Sequence, residues 1–380
     1  MKKTKIAVIG GGIAGCSVAY ALKRKGFEVT LYEKEKSLAA GTSGHPLAVF
    51  MPRLERSHNP YSDFYLAAYL FSLSLYERLE KEFGNIWHPA RGCFQKAADE
   101  PEAARMATLE NYFPELSEHL KFCPDRAGLV FPRGGCLVPE NICIALTTGI
   151  EVVLGKEFSG DEKFDATVLA TGPNSFDGWG ENPFRLTRGQ INYLPELKDF
   201  ELLETLAFPG GYLTPKTKKG FHVLGTSFKV LIDPSKTDWE TLSQENLDKN
   251  LATLGVAFPS LKDKWENPPL KGRVALRTET IDHLPVAGAA FDKDTYLKVY
   301  KEKQRLHHSQ RQVENEADTP GLFVFSGFGS RGFMAAPYAA EILSSQMAGS
   351  PPPCTASITK ALSPARFLLK DLKKGKIRAT

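Results

Sequence analysis

The segment that most constrains the fold is the glycine-rich stretch KIAVIGGGIAGCSVAYALKRKGFEVTLYE, residues 5–33. An apolar run that suits a buried strand precedes the glycines. Apolar periodicity predicts a helix from about Cys16 to Lys25, and Glu28–Tyr32 predicts a second strand. A strand, turn, helix and strand within about thirty residues is the setting in which the pattern G-x-G-x-x-G binds a dinucleotide. The segment therefore predicts a Rossmann-like domain.

Each glycine of this pattern has a physical role. Gly10 permits the tight turn, Gly12 lets the backbone approach a pyrophosphate, and Gly15 lets the helix pack against the strand. The positive end of the helix then faces the phosphates. Glu33 is placed to accept hydrogen bonds from the ribose hydroxyls, which disfavours the 2′-phosphate of NADP. The other predicted cofactor contacts here are Ile13, Ala14 and Lys34.

The same start also resembles that of an exported, lipid-anchored protein, because Lys2 and Lys3 precede an apolar run that ends at Cys16. The apolar part of a leader should be uninterrupted and should stop at the cleavage site. Here three glycines interrupt the run and the pattern continues past Cys16. The dinucleotide interpretation is therefore preferred, and with it a cytoplasmic location.

Length and composition exclude several other classes. The 380 residues suffice for two domains, and the formal net charge of +4 does not by itself indicate a polyanionic partner. The longest apolar run, residues 66–76, is shorter than the ~20 residues that a bilayer span needs, so it predicts a buried helix and no membrane partner. The six cysteines follow no C-x-x-C spacing, which predicts reduced thiols and no metal site.

A second glycine turn follows a predicted buried strand in FDATVLATGPNS, residues 164–175. In FAD-linked oxidoreductases an Ala-Thr-Gly turn such as Ala170, Thr171 and Gly172 lies beside the first glycine loop and closes over the dinucleotide. A simple strand exit that uses glycine for turn geometry is the structural alternative.

A third glycine turn lies near the carboxyl terminus, with a strand at Gly321–Ser326, a loop at Gly327–Gly332 and a helix at Phe333–Met347. The start of a helix carries about half a positive charge. With Arg331 it could stabilise the negative charge that a reduced flavin develops at its N1–C2=O edge, a need that nicotinamide lacks. Three such turns favour FAD over NAD. The predicted contacts in this turn are Gly327, Gly329, Ser330, Arg331, Gly332, Phe333 and Met334.

Four segments carry a family resemblance: GTSGHPLAVFMPRL (41–54), RGQI (188–191), RTETIDHLPVAG (277–288), and residues 327–349 together with LSPARFLLKDLKKGK (362–376). The chain resembles the D-amino-acid oxidase/glycine oxidase (DAO) superfamily of flavoproteins along almost its full length. More closely, it is similar to the FAD-dependent oxidoreductase half of the bifunctional MnmC family of tRNA wobble-uridine modification enzymes. The resemblance implies an α/β fold with a discontinuous Rossmann-like FAD-binding domain and an antiparallel-sheet (α+β) substrate domain.

The resemblance also implies a reaction. FAD, bound non-covalently, would oxidise the glycine unit of 5-carboxymethylaminomethyl-(2-thio)uridine in tRNA, releasing glyoxylate and leaving a 5-aminomethyl base. The chain starts at the FAD pattern, so we expect a stand-alone oxidoreductase that either relies on a separate tRNA methyltransferase or stops at the aminomethyl stage. A free amino-acid, glycine or sarcosine oxidase remains an alternative, as does a flavin-containing RNA-binding or assembly subunit without catalysis.

Site residues follow from the same resemblance. Arg277 is expected to bind the substrate carboxylate through its planar fork, with Arg331 as the rival for that role. Asp282 and His283 are expected to hold the turn that brings Gly288 against the flavin. By resemblance, Thr42, Ser43, Gly44 and His45 contact the cofactor, and Arg53, Gln190, Gly225 and Thr226 lie near the substrate.

The predicted FAD-binding domain comprises 1–85, 131–185, 276–290 and 320–380, and the predicted substrate domain 86–130 and 186–275. Residues 291–319 read as a charged surface insertion with Tyr296 and Tyr300 interleaved. If this insertion shares a face with the basic 366–378 segment, the two could contact an RNA backbone. The simpler alternative is that the charges only solvate surface helices. The basic residues are Lys293, Lys298, Lys301, Lys303, Arg305, Arg311, Arg366, Lys370, Lys373, Lys374, Lys376 and Arg378.

Overall fold

The computed structural model describes residues 3–172, 182–261, 263–305, 318–374 and 376. The chain divides into two compact units, each assembled from separate stretches. Unit 1 contains Met1–Ala40, Leu146–Arg185 and Arg277–Thr380, and unit 2 contains Gly41–Ala145 and Leu186–Leu276. All three glycine turns therefore belong to unit 1.

The described residues form both helices and strands, and the strands β9 to β13 follow one another along the chain. The strands are β1 (Lys5–Ile9), β2 (Glu28–Glu33), β3 (Ala48–Phe50), β4 (Trp87–Lys96), β5 (Lys121–Cys123), β6 (Gly128–Leu137), β7 (Glu151–Leu154), β8 (Ala166–Leu169), β9 (Phe184–Pro195), β10 (Thr205–Phe208), β11 (Gly211–Leu213), β12 (Phe221–Gly225), β13 (Lys229–Leu231), β14 (Gly272–Thr280), β15 (Val286–Phe291) and β16 (Asp318–Ser326). The helices are α1 (Ile13–Arg24), α2 (Pro60–Phe83), α3 (Glu100–Ala107), α4 (Leu109–Tyr112), α5 (Pro139–Thr147), α6 (Gln244–Ala257), α7 (Lys293–Arg305), α8 (Gly332–Met347), α9 (Ala356–Leu362) and α10 (Arg366–Lys373).

Unit 1 is built on a six-stranded sheet in the order β15–β16–β8–β1–β2–β7. All neighbours pair in parallel except β15, which pairs antiparallel with β16. Ile6, Ala7 and Val8 at the centre of β1 are fully buried, as expected of a parallel sheet covered on both faces. Because β1 has β2 on one side and β8 on the other, the carboxyl ends of β1 and β8 form the type of crevice in which open α/β sheets bind ligands.

Unit 2 is built on a ten-stranded sheet, in which β13–β9–β12–β11–β10–β4–β6–β3 are successive neighbours, β14 also pairs with β9, and β5 with β6. Asn59 is the N-cap residue of the long helix α2, and its side chain accepts hydrogen bonds from the N–H groups of Tyr61 and Ser62. Phe50 of β3 stacks on Tyr69 of α2, with ring centres 5.3 Å apart, and meets Trp87 of β4 edge-on at 5.4 Å. These contacts bury α2 against the sheet of unit 2.

The unit boundaries differ from the predicted domains in two places. Residues 41–85 and 131–145 were assigned to the FAD-binding domain, yet both belong to unit 2. The reason is that β3 pairs with β6, and that α2 packs on the rings of β3 and β4. The apolar and polar pattern of β3 predicts a strand, and that of α2 predicts a helix with one buried side. Neither pattern indicates which of the two sheets the element belongs to.

The predicted surface insertion 291–319 also differs. Residues 306–317 lie outside the described residues, but Phe291, Tyr296 and Leu297 are buried in a hydrophobic cluster of unit 1. Tyr296 is fully buried, and the partly buried Tyr300 packs on the same cluster, so both rings belong to the packing of unit 1.

The apolar run at 66–76 lies within α2, as predicted. None of the described helices combines the length and the apolar character that crossing a membrane requires. All six cysteines are free thiols.

Candidate active site

The first turn of unit 1 joins β1 to α1 so tightly that two positions exclude a side chain. Gly10 has φ +112°, and its N–H donates to the carbonyl oxygen of Tyr32 at 2.7 Å. A Cβ on Gly10 would lie 2.5 Å from the carbonyl oxygen of Ala170, and one on Gly15 would lie 1.7 Å from that of Gly10. Glycine at these positions allows three main-chain segments to meet at the end of β1.

The start of α1 presents main-chain groups rather than side chains. Gly12 is the N-cap residue in an extended conformation, and no side chain caps the helix. The N–H groups of a first helical turn have no acceptor within the helix. Together with the helix dipole they make this end, formed by Ile13, Ala14 and Gly15, suited to an anion such as a pyrophosphate.

Glu33 ends β2 beside this turn. One carboxylate oxygen accepts a hydrogen bond from the N–H of Gly11 at 2.6 Å, and the other accepts from the N–H of Glu35 at 2.9 Å. Two main-chain donors therefore fix the carboxylate, and each oxygen retains a lone pair for a further donor. Its position suits a ribose hydroxyl. Lys34, also a predicted contact, is exposed.

The second turn packs directly on the first. The N–H of Ala170 donates to the carbonyl oxygen of Ile9 at 2.8 Å, and Gly172, at φ +61°, accepts from the Ser326 hydroxyl at 3.2 Å. The Thr171 hydroxyl is buried and has no hydrogen-bond partner among the described residues. The structure thus brings the first two turns together; residues 173–175 of the motif lie outside the described residues.

The third turn leads from β16 into α8. Gly327 and Gly329 have φ values of +82° and +56°, and a short 3₁₀ turn at Gly329–Arg331 precedes the helix. No side chain caps α8. A Cβ on Gly332 would lie 3.1 Å from Cγ2 of Ile13, because α8 packs against α1 with the two helix starts adjacent. Ser330 lies in the 3₁₀ turn, and Phe333 and Met334 are buried in the first turn of α8.

Unit 2 contains the predicted cofactor segment 41–46. The Thr42 hydroxyl donates to the carbonyl oxygen of Leu276 at 2.5 Å, and the N–H of Gly44 donates to that of Gly41 at 3.0 Å, which closes a turn. Ser43 is buried and His45 is partly buried.

Arg53, predicted near the substrate, lies in unit 2. Its guanidinium lies 5.1 Å from the ring centre of Tyr61 and 3.5 Å from the Glu55 carboxylate, and the side chain is 41% exposed. Arg53 is therefore a partly exposed cation, and its place near the substrate stays a prediction.

Gln190 is predicted to lie near the substrate, and in the structure its side chain is engaged in hydrogen bonds within unit 2. The amide nitrogen donates to the carbonyl oxygen of Ser243, and the amide oxygen accepts from the Ser243 N–H, both at 2.8 Å. The oxygen also accepts from Arg188 at 3.4 Å, and Gln190 is fully buried. Its amide therefore fastens the start of α6 to β9.

Gly225 and Thr226, the other predicted substrate residues of unit 2, lie at the end of β12. A Cβ on Gly225 would lie 2.5 Å from Cζ of Tyr212, so the small residue makes room for this ring. The Thr226 hydroxyl donates to the carbonyl oxygen of Gln190 at 3.1 Å. Both positions have structural contacts that account for their residue types.

Replacing Gln190 with leucine should lower the free energy of unfolding by about 2 kcal/mol, because it removes the hydrogen-bond partners of the partly buried N–H and carbonyl groups of Ser243. The Michaelis constant should stay within about twofold of that of the wild type. Denaturant unfolding and steady-state kinetics measure the two effects. Gln244→Leu, at an exposed position of α6, is the control. If the variant instead had a raised Michaelis constant and unchanged stability, the side chain of Gln190 would contact the substrate, as the sequence predicts.

Comparisons with known proteins identify the family. The family model described as FAD dependent oxidoreductase (DAO) matches residues 5–346. The chain belongs to this family. Two solved structures share the fold: glycine oxidase from Geobacillus kaustophilus (TM-score 0.65, 17% identity, covering 95% of this chain and 98% of that one) and L-proline dehydrogenase from P. horikoshii (TM-score 0.67, 18% identity, 97% and 99%).

Curated relatives are more similar in sequence. The proteins named tRNA 5-methylaminomethyl-2-thiouridine biosynthesis bifunctional protein MnmC are 31% identical in Magnetococcus marinus, over 98% of this chain, and 32% identical in Pseudomonas aeruginosa and Chromobacterium violaceum, over 97%. In each case the chain spans 60% of the length of the relative.

The turns of unit 1 fit the FAD of the DAO family. Gly10 and Gly15 exclude side chains from the first turn, and α1 and α8 start side by side without side-chain caps. A dinucleotide pyrophosphate would lie at Gly12, and Glu33 would bind its ribose. No group of three or more potential metal ligands occurs among the described side chains.

Arg277, the predicted carboxylate anchor of this DAO family member, lies on β14 and is only 6% exposed. A buried guanidinium needs acceptors, and a carboxylate that offers two oxygens is a suitable ligand for its planar fork. Arg331 lies one residue before α8 and is partly buried.

Asp282 holds the turn after β14, as predicted. It accepts from the Thr280 hydroxyl at 3.0 Å and the Leu284 N–H at 3.2 Å, and Arg366 donates to both its oxygens at 2.9 and 3.0 Å. Burial alone would raise the pKa of Asp282, but the hydrogen bonds and charge of Arg366 outweigh it and lower the pKa. Gly288 lies on β15, where a Cβ would lie 2.5 Å from Cδ of Pro364, and its place against the flavin stays a prediction.

Asp282→Asn should lower the free energy of unfolding by about 2 kcal/mol at neutral pH, since a partly buried charge-assisted pair is lost. The folded pKa lies below the unfolded value of about 3.9, so this stabilisation is present above pH ~4 and disappears as the pH falls through the lowered folded pKa. Denaturant unfolding at pH 7 and pH 3 should show the gap between wild type and variant closing. Asp371→Asn on α10 is the control. A gap independent of pH would contradict this role.

The role of Arg366 was missed in the sequence. It was grouped with the basic residues of the carboxyl-terminal segment, yet its guanidinium is engaged by Asp282 and by the carbonyl oxygen of Leu284 at 2.6 Å. No local pattern links residues this far apart in the chain. The motif RTETIDHLPVAG was the only signal, since a buried aspartate in a turn requires a partner.

Proposed function

We propose that this protein is an FAD-dependent oxidase that removes the carboxymethyl group from 5-carboxymethylaminomethyl-(2-thio)uridine at the wobble position of tRNA. The products are 5-aminomethyl-(2-thio)uridine and glyoxylate. The observation that carries the proposal is the extent of the match. Nearly the whole chain aligns, at 31–32% identity, with proteins named for 5-methylaminomethyl-2-thiouridine biosynthesis, and the alignment covers 60% of the length of each. The identity to the two solved oxidoreductases above is only 17–18%.

The chemistry requires an oxidant and water. Bound FAD supplies the acceptor for the two electrons and hydrogen that leave the glycine methylene as hydride. The substrate nitrogen loses its proton, so that a C=N bond forms between that nitrogen and the former methylene carbon. Water adds to this carbon and the C–N bond then breaks. The amine remains on the base, and the carbon departs as the aldehyde of glyoxylate.

Three groups of this chain would support the reaction. Arg277 binds the substrate carboxylate and thereby orients the methylene, which must lie within about 3–3.5 Å of the acceptor atom. The start of α8 and Arg331 supply positive potential for the charge that develops on the acceptor. The start of α1 and Glu33 hold the dinucleotide. No side chain needs to act as an obligatory acid or base, because a neutral amine can release hydride unaided.

The setting of the enzyme follows from its substrate. Since tRNA is cytoplasmic, we place the enzyme in the cytoplasm. The aminomethyl product is a nucleophile that a methyltransferase can use, and we place that reaction on a separate protein. His45 makes covalent attachment of FAD chemically conceivable, but we propose that FAD is bound non-covalently. Acid precipitation should therefore release all the flavin into solution.

Anaerobic mixing with purified substrates tests the proposal. tRNA that carries the carboxymethylaminomethyl group should bleach the visible flavin band and yield glyoxylate, whereas the same tRNA without the group should not. Bleaching by free glycine or sarcosine alone would assign the protein to the amino-acid oxidases. Flavin that none of these substrates reduces, in a protein that still binds tRNA, would favour the non-catalytic RNA-binding alternative.

A further inference from the structure

Helices α7 and α10 are far apart in the chain but pack on the same hydrophobic cluster of unit 1. Tyr296 and Leu297 of α7 lie in this cluster with Phe291 of β15, and so do three residues of α10. The residues from α10 are Phe367, Leu368 and Leu369. Because the apolar side of each helix is buried here, the opposite side of each helix faces solvent.

The solvent-facing sides of the two helices carry an excess of lysines. Lys370, Lys373 and Lys374 are spaced so that they project from one face of α10 and its end, and all three are exposed. The lysine face comprises the exposed Lys298, Lys301, Lys370, Lys373, Lys374 and Lys376.

Few of these charges are neutralised locally. Only Lys376 lies within ion-pair distance of a carboxylate among the described side chains, 4.0 Å from Asp371. The side chain of Asp292 is engaged in capping α7, where it accepts from the Thr295 N–H at 2.8 Å. Asp294 and Glu302 are the other acidic residues of the described parts of the two segments, so lysine charge predominates.

We propose that the lysine face binds the phosphate backbone of the tRNA at a distance from the reacting nucleotide. The inference rests on the proposed function for the identity of the polyanion. Lysines that contact phosphates supply affinity and position without reading sequence. A membrane surface is disfavoured, because interfacial helices insert an apolar face into lipid and both apolar faces are buried in the cluster. None of the exposed large hydrophobic side chains lies on α7 or α10.

Binding of an unmodified tRNA transcript, followed by fluorescence anisotropy across a range of salt concentrations, tests this surface without any chemistry. The variant K370Q/K373Q/K374Q should bind about tenfold more weakly at 100 mM salt. The slope of log Kd against log salt should fall by about 2, since each phosphate contact contributes roughly 0.7–0.9.

The control K163Q/K219Q/K249Q removes three exposed lysines elsewhere and lowers the formal net charge by the same amount, from +4 to +1. It should retain the wild-type slope and affinity within about twofold. Equal weakening in both variants would overturn the proposal, because a general charge effect would then suffice. The proposal would also be overturned if K370Q/K373Q/K374Q no longer sedimented with phosphatidylserine vesicles, as the wild type did, while its affinity for tRNA was unchanged.

The experiment distinguishes an error in the lysine-face proposal from an error in the proposed function. Oxidation of the free 5-carboxymethylaminomethyluridine nucleoside does not require contacts to distant phosphates, so the lysine variant should bleach with it at the wild-type rate. If wild type and both variants bind tRNA alike while the nucleoside is still oxidised, the lysine face is excluded and the chemistry stands.

Discussion

Gly15→Ala is expected to give a protein that binds no FAD. The added Cβ would lie 1.7 Å from the carbonyl oxygen of Gly10, and this neighbour is backbone that no side-chain rotation can move aside. Helix α1 would have to shift away from β1, which separates the turn from the helix start that together would hold the pyrophosphate. We expect an overpacking cost of about 3 kcal/mol or more, and a flavin-to-protein absorbance ratio near zero after reconstitution with FAD and dialysis.

Ser17→Ala, two residues further along α1, is the matched control. Ser17 is buried and its hydroxyl has no hydrogen-bond partner among the described residues, so removing that oxygen should leave FAD binding intact and stability unchanged or slightly higher. Full flavin content in Gly15→Ala would show that α1 can move without loss of the dinucleotide site, and would contradict the proposed arrangement.

Arg277→Gln should lower kcat/KM for the carboxymethylaminomethyl substrate about 1000-fold. Truncating one partner of a buried, hydrogen-bonded charge pair costs about 4 kcal/mol, and each 1.4 kcal/mol corresponds to about tenfold. Arg277→Lys should recover only part of the loss, because a single ammonium cannot reproduce the two parallel hydrogen bonds of the guanidinium. Flavin content should stay at the wild-type level.

A substrate analogue separates carboxylate binding from general damage at Arg277. An N-ethyl analogue, in which a methyl group replaces the carboxylate, should react as slowly with the wild type as with Arg277→Gln. The exposed Arg185→Gln, on β9 next to β14, should behave as the wild type with both compounds. If Arg277→Gln still discriminates between the two compounds, another residue must bind the carboxylate, and Arg331 is the first candidate.

Local sequence predicts what depends on local geometry. The first turn was predictable because glycine at Gly10, Gly12 and Gly15 permits a specific close approach of backbone to backbone, and the flanking periodicities define β1, α1 and β2. The start of α8 was predictable within one residue for the same reason. The positive φ values of Gly327 and Gly329 are those that glycine-marked turns imply.

Partners distant in the chain were not predictable in this way. Helix α2 reads as a buried helix, but only the rings of β3 and β4 determine which sheet it covers. Gln190 reads as a polar residue in the segment RGQI, and nothing near it in the chain indicates that its amide binds Ser243. Tyr296 lies among lysines and acids, and the cluster that buries it is completed by residues of α10.

The interleaved pairing of unit 1 has a consequence for how the protein is made. Strand β1 pairs with β8, whose Thr167 pairs in turn with Leu322 of β16. Unit 2 is complete at Leu276. During synthesis, therefore, all of unit 2 leaves the ribosome before β16 and α8 can join the parallel sheet. Until then one edge of β8 is unpaired and available for aggregation or chaperone binding. The nascent chain should acquire its flavin only after β16 and α8 have emerged, so cellular FAD supply would act on a late step in the assembly of unit 1.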